Sequence, residues 1–457
     1  MSKNASPRDS DTMTHFDFLK KFKRFNPLEP SLGILGFILV TALFIACFFY
    51  LDYPTVTRRG WYPEASWLGL MGPFSSPSES VASSFPSSSL DEHERPGFLD
   101  EGGEGCNVFD GNWVWDDKYP LYQSTDCPFI DEGFRCLENG RPDSFFTKWR
   151  WQPKDCNLPR FDARNMLEKF RNRRLVFVGD SIGRNQWESL VCLLASAVSN
   201  KSSIYEVNGE PITKHRGSLA FMFKDYNCTV EYYRAPFLVV QGRPPAGAPE
   251  VVRMTLKVDQ LDWSSIHWRD ADVLIFNTGH WGCYFEEGAK VKMEMNLETA
   301  FRRSIEMLIG WIDSQVNMNK TQVFFRTYAP VHFRNGEWNT GGSCHLEKLP
   351  DLRLLPAPPE IHFDIVADVF LKRLNESQLM NLNLLNVTDM ASRRKDGHAS
   401  VYYLGTETGP APLHRQDCSH WCLPGVPDSW NELLYALYLK RETSRVQNSK
   451  DSSQDPL

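Results

Sequence analysis

The hydrophobic pattern divides the chain into segments of different physical character. Residues 1–31 are polar and carry Lys20, Lys21, Lys23 and Arg24 close to their end. Leu32–Leu51 then runs for about 20 residues without a charge, long enough to cross a bilayer. Asp52-Tyr-Pro follows instead of a small-x-small cleavage signature, so the run reads as a membrane anchor and not a cleaved leader. Four cations precede the run, and only Arg58 and Arg59 follow closely. The positive-inside bias therefore predicts a cytosolic N-terminus and a body beyond the membrane, a type II single-pass arrangement. Residues 52–105 are rich in Ser, Pro, Gly and acid, too poor in apolar surface to fold, and predict a flexible stem.

Residues 106–162 lack helical periodicity but are dense in Cys, Trp and Pro, which predicts a small disulfide-tied module. From 163 to 441 the pattern alternates. Helical spacing predicts helices over 163–172, 184–198, Asn296–Val316, His362–Leu374 and Ser429–Lys440, the last with Asp428 as a cap. Short apolar runs predict strands at Leu175–Val178, Val273–Asn277, Gln322–Arg326 and Leu382–Asn386. Phe221-Met-Phe and Val230-Glu-Tyr-Tyr suggest an added hairpin. Wholly apolar strands separated by helices imply an α/β fold: three layers, with a parallel sheet covered on both faces. Residues 442–457 read as a polar tail.

Composition adds the compartment. Ten of the 11 cysteines follow the apolar run, an even number that suits disulfides in an oxidising lumen. Sequons at Asn200, Asn227, Asn319, Asn375 and Asn386 predict glycosylation on the same side. Net charge is mildly negative, and no basic block interleaved with aromatics marks a nucleic-acid surface. The 14 tryptophans suit a core and also surfaces that face sugar rings.

Two short segments carry chemistry. Val176-Phe-Val-Gly-Asp-Ser181 is an apolar strand ending in a tight turn before a helix, the way α/β folds expose a nucleophile. A serine hydroxyl needs a base, usually an imidazole held by a carboxylate. Asp417-Cys-Ser-His420 offers both, between cysteines that would pin the loop. Ser181, His420 and Asp417 together point to acyl transfer or ester hydrolysis. Cys418-x-His420-x-Cys422 also has zinc-binding donor types, but the Cys-x-x-Cys pairs usual for zinc are missing and no metal is expected. Oxyanion or substrate contacts are expected from Asn277 and Gly279 after a strand and from Asn185 one turn past the serine. Arg184 reads equally as a substrate contact or a helix-surface ion pair.

Gly-Asp-Ser-Ile-Gly-Arg-Asn-Gln-Trp-Glu-Ser-Leu and Asp-Cys-Ser-His-Trp-Cys-Leu-Pro-Gly-Val-Pro-Asp-Ser-Trp-Asn-Glu resemble the two hallmark blocks of the plant trichome birefringence-like family. The stretch Cys106–Cys156 resembles that family's cysteine-rich N-terminal module. The resemblance implies an SGNH/GDSL-like fold and a Golgi polysaccharide O-acetyltransferase, with Ser181 as nucleophile, His420 as base and Asp417 as orienting acid. The acceptor would be a cell-wall polysaccharide, pectin including rhamnogalacturonan, or xylan. No bound cofactor is expected; the acetyl donor is not specified, acetyl-CoA being one candidate, and a separate membrane protein would have to bring acetyl groups into the lumen. The resemblance further implies disulfides Cys136–Cys422, Cys344–Cys418, Cys106–Cys156 and Cys127–Cys192, with Cys228 and Cys283 left over. The rivals are an acetylesterase using the same residues and a non-catalytic wall-polysaccharide-binding protein that maintains esterification.

Overall fold

Trp-rich strands open the described part of the chain. The computed structural model describes residues 95–279, 281–353, 361–376 and 382–451. The expected anchor at 32–51 and most of the expected stem lie outside them. Strands β1 (Gly111–Trp115) and β2 (Trp149–Pro153) pair antiparallel, with Trp113 opposite Trp151 and Trp115 opposite Trp149. Trp113 and Trp151 meet edge to face at 5.5 Å. Their indole N–H groups donate to the carbonyls of Met390 and Val108, so these rings serve the core and not a sugar surface. The ordered body begins before residue 106. Phe98 is buried, and its N–H donates to the Asn157 carbonyl, so the end of the expected stem is part of the fold.

Next come α1 (Ala163–Lys169), β3 (Arg174–Gly179), α2 (Ser181–Ala195), β4 (Ile204–Glu206), β5 (Ser218–Phe223), β6 (Cys228–Arg234), β7 (Val239–Gly242) and β8 (Thr255–Leu261). The chain continues through β9 (Val273–Phe276), β10 (Tyr284–Glu287), β11 (Lys290–Val291), α3 (Leu297–Gln315), β12 (Gln322–Arg326), α4 (Ile361–Glu376) and β13 (Leu382–Leu385). It closes with α5 (Thr388–Ser392), β14 (His398–Ser400), β15 (Asp417–Trp421) and α6 (Val426–Asp451). The main sheet has the order β13-β12-β9-β3-β6-β5-β4. The first five strands are parallel, while β5 and β4 add antiparallel. The sheet is thus mixed: beside the expected parallel strands, the hairpin suggested at Phe221 and Val230 forms as β5–β6, with β6 parallel to β3 and with β5 and β4 antiparallel at the edge.

Alternation along each strand sorts the two faces. Leu175, Phe177, Val273, Ile275 and Phe324 pack with α1, α2 and α6. Val176, Val178, Leu274, Phe276, Val323 and Phe325 pack with α3 and α4. That is the three-layer arrangement. A second sheet, β11-β10-β8-β7, was not expected. The closing helix also extends through Asp451, well into the expected polar tail.

Helix α2 begins three residues earlier than its apolar spacing predicts. Asp180 is its N-cap, with Oδ1 accepting from the N–H groups of Ile182 and Gly183, which satisfies donors a helix start otherwise leaves open. Past Ser181, every residue of α2 is buried. A helix apolar on one face would leave its outer side wet; here Tyr122, Cys127, Ile130 and Phe134 of the N-terminal module cover it.

Candidate active site

Ser181 sits at the first position of α2, directly beyond the carboxyl end of β3, and is exposed. The helix N-terminus directs its partial positive charge at this point. Below it, the Asn277 amide fills a slot that only glycines leave open. A Cβ at Gly179 would lie 2.0 Å from Asn277 Oδ1, and one at Gly183 would lie 1.9 Å from it. The Asn277 Nδ2 donates to Asp180 Oδ1 at 2.6 Å. Gly179-x-x-x-Gly183 is therefore the sequence signal for a close approach between the serine turn and the end of β9. Asp180 also faces the buried Arg326 guanidinium at 3.9 Å. Burial pushes that guanidinium down to about 10, against the pull of Asp180's charge. Gly279 packs on the Tyr328 ring, where a Cβ would come within 2.5 Å.

The other half of the site comes from β15. His420 Nδ1 lies 2.8 Å from Asp417 Oδ2. Asp417 Oδ1 accepts from the N–H groups of Ser419 and His420 and from the Ser419 hydroxyl. Burial by itself would raise Asp417, but the charge of His420 and these hydrogen bonds outweigh it and hold the carboxyl well below the usual range. Burial would likewise lower His420. The charge and hydrogen bond of Asp417, helped by Asp180, outweigh it and raise the imidazole, with Arg184 opposing. The His420 side chain remains 24 % exposed, as a base meeting substrate must be.

Asn185 is not free to contact a substrate or an oxyanion. It is fully buried, and both ends of its amide are spent on one residue: Nδ2 donates to the Trp421 carbonyl at 3.1 Å, and Oδ1 accepts from the Trp421 N–H at 2.7 Å. This clamp joins the helix carrying Ser181 to the residue after His420. Arg184 is also buried, ion-paired to Asp131 at 3.1 Å and Glu188 at 2.8 Å, so it is neither a surface pair nor a substrate contact. Asp131 belongs to the N-terminal module, so this network ties that module to α2.

Among the described residues the disulfides are Cys106–Cys156, Cys127–Cys192, Cys136–Cys422 and Cys344–Cys418, the pairs implied by the resemblance. The last two flank His420. With both cysteines oxidised, Cys418 and Cys422 offer no thiolates. Cys228 and Cys283 are free. Phe134 of the N-terminal module stacks at a tilt 5.7 Å from the His420 ring, and its carbonyl accepts from Leu423 N–H. Sequence reasoning missed Phe134 and Asp131, because nothing local links them to partners far along the chain. Of the sequon asparagines, Asn200, Asn227 and Asn319 are exposed, and Asn386 is half-buried at the end of β13. Asn375 lies in α4. Among the described residues, no helix is long and apolar enough to cross a membrane.

Two family models match the chain. One, described as a GDSL/SGNH-like acyl-esterase family found in Pmr5 and Cas1p, matches residues 158–437. The other, the PMR5 N-terminal domain, matches residues 104–157. The chain is 47% identical over 351 residues to protein trichome birefringence-like 9 of Arabidopsis thaliana, covering 73% of this chain and 84% of the relative. It is 45% identical over 346 residues to trichome birefringence-like 6 of the same plant, with coverage of 73% and 70%. Identity to protein trichome birefringence is 43% over 348 residues, covering 73% of this chain and 56% of the relative.

Proposed function

Since the chain belongs to the trichome birefringence-like family, with a GDSL/SGNH-like acyl-esterase domain, we propose that it moves an acetyl group through an acyl-serine onto a hydroxyl of a cell-wall polysaccharide. The observation that carries this is the Asp417–His420 pair, bound by the Asn185 clamp to the helix that presents Ser181. His420 takes the proton of Ser181 as the oxygen attacks the acetyl carbonyl, and gives it to the donor group that leaves as the donor–acyl bond breaks. Asp417 fixes the tautomer, because Nδ1–H faces its carboxylate and leaves Nε2 to work as the base. The Ser181 backbone N–H at the helix start, with Asn277 or Gly279, would hold the oxyanion; Asn277 has a second amide hydrogen beyond the one given to Asp180. The acetyl-serine then passes its acyl group to a sugar hydroxyl that His420 deprotonates in turn, and that proton goes to the Ser181 oxygen as the serine ester breaks.

Water and a sugar hydroxyl are equivalent nucleophiles for such a triad, so transfer depends on a groove that seats the sugar and excludes water. Pectin, including rhamnogalacturonan, and xylan are the acceptors we put first. We place the body in the Golgi lumen behind a type II anchor at 32–51, supplied with acetyl groups by another membrane protein. An acetylesterase with the same residues is the second reading, favoured by the acyl-esterase description of the matching family. Incubating the purified protein with an acetyl donor and a panel of de-acetylated wall glycans tests both. Acetyl uptake with a trapped acetyl-Ser181 supports transfer, and release to water alone supports the esterase. Glycan binding without turnover, untouched by Ser181→Ala, would make it a binding protein.

A further inference from the structure

The backbone of His420 is held in an unusual way. In the β14–β15 pair, His398 opposes Trp421 and Ser400 opposes Asp417. One residue on β14, Ala399, therefore faces three on β15, Cys418 to His420. Such a bulge leaves its residues outside the regular ladder. The N–H of His420 is taken by the Asp417 carboxylate instead, and its carbonyl lies 3.0 Å from His398 Nδ1. Side chains thus hold both backbone polar groups of the base.

His398 is the middle of a chain. Its Nε2 lies 2.6 Å from His332 Nδ1, and His332 Nε2 lies 2.9 Å from the Ser392 carbonyl. Carbonyl oxygens only accept, so His398 Nδ1 and His332 Nε2 must each carry a proton. Two neutral imidazoles have no third proton for the contact between them, where two lone pairs would meet. Either one of the three contacts opens, or the pair takes up one proton and becomes imidazole–imidazolium. We propose that His398 is a positioning residue that fixes the His420 carbonyl through its Nδ1–H, and that His332 and His398 share one added proton in acid. This rests on His420 being the base.

The surroundings are mixed. Asp396 and Glu347 favour charge on His332, while Lys395 opposes it. Asp417 favours charge on His398, and His420 opposes it. Arg141 donates to the His398 carbonyl. The His398 ring stacks on Trp421 with centroids 4.0 Å apart, which favours a cation. Burial outweighs these and holds both rings below the ordinary imidazole value, His398 well below it, while His420 is raised, so the shared proton is taken up in acid, after His420 has been protonated.

His332→Gln tests this without touching the triad. A glutamine amide can donate to His398 Nε2, so the chain is completed with no added proton and the His420 carbonyl keeps its donor. Acetyl release from a chromogenic ester should keep both its plateau rate and its acidic limb, since the pair is neutral where His420 titrates. His398→Leu, which removes the donor as well, should lower the plateau roughly tenfold through loss of orientation. Nitrogen NMR of the wild-type protein with labelled histidine should show one proton coupled to nitrogens of both rings in mild acid. An unchanged plateau in His398→Leu, or no shared proton in acid, overturns the proposal. A lowered plateau with a rate that stays flat through the acidic range counts instead against His420 as the base.

Discussion

The two halves of the candidate site are built by different means. Ser181 is held by regular structure: a central strand, a capped helix start, and a glycine slot gripping Asn277. His420 stands on a bulged pair of short strands, β14 and β15, and draws its rigidity from outside them. Two disulfides, the Asn185 clamp, the His398 side chain and Phe134 of the N-terminal module all converge on it. Local backbone chemistry fixes the nucleophile, whereas contacts across the whole chain fix the base. The N-terminal module is thus part of how the base is placed, although neither Ser181 nor the Asp417–His420 pair comes from it.

The largest test of that contrast removes the nucleophile. Ser181→Ala should cut turnover by on the order of 10⁴-fold or more, with unchanged folding, since the hydroxyl lies at an exposed helix start. Adding His420→Ala should cost little further, because one unit is being broken twice. Rates within tenfold of wild type would end the serine mechanism.

Asp417→Asn comes next, with a loss of roughly 10³–10⁴-fold through the wrong tautomer. Activity needs neutral His420, whose pKa is raised chiefly by Asp417 acting against burial. The rate should therefore fall as pH drops through that raised value, and the acidic limb should move down in Asp417→Asn. A single-turnover profile flat from about pH 5 to 8 would remove His420 from this role.

Cutting the long-range support should hurt the base and spare the nucleophile's frame. Cys136→Ser should lower stability by about 2–5 kcal/mol and the rate by up to about 100-fold through misplacement of His420. Asn185→Ala leaves two buried backbone groups of Trp421 without their partner, at about 1–3 kcal/mol each, with a smaller effect on rate. If either variant kept full activity, β15 would be rigid by itself and the contrast would fail.

The smallest effect is on stability with pH. Burial raises the carboxyls of Glu188, Asp428 and Glu432 to about 7; Tyr119 and Tyr122 of the N-terminal module donate to Glu432 and Asp428. The folded chain therefore holds protons that the unfolded chain releases above about 4 to 4.5. Stability should fall as pH rises from about 5 to 7 and then level off. The raised His420 acts in the same direction, its contribution fading as pH climbs through its folded value, while His332 and His398, held low by burial, act against it up to about 6.5. Urea midpoints measured across this range should fall, and Asp428→Asn should flatten the slope.

The legible parts of the sequence were those whose signal is local. The runs at Val176, Val273, Val323 and Leu382 announced buried parallel strands because both faces are covered. Gly-Asp-Ser before a helix, and Asp-x-x-His between cysteines, were visible for the same reason. The start of α2 was misplaced because Asp180 extends the helix by capping, ahead of the first apolar periodicity. Strand β8 was missed although Leu256, Lys257, Val258 and Asp259 alternate apolar and polar as a half-buried strand does. Asn185 looked like a substrate contact because its partner lies 236 residues away. The three histidines that meet near β15 are spread from His332 to His420, and only folding brings them into one chain.

The bond between Cys136 and Cys422 spans 286 residues. Cys136 is synthesised early, and its partner emerges only after the central sheet is complete. This long wait orders the life of the molecule. The nucleophile's strand and helix can form during synthesis, but the base cannot be locked until the chain is almost finished and an oxidant has acted. Catalytic competence is then the last property acquired, and a chain kept in a reducing compartment would be folded around its serine yet silent.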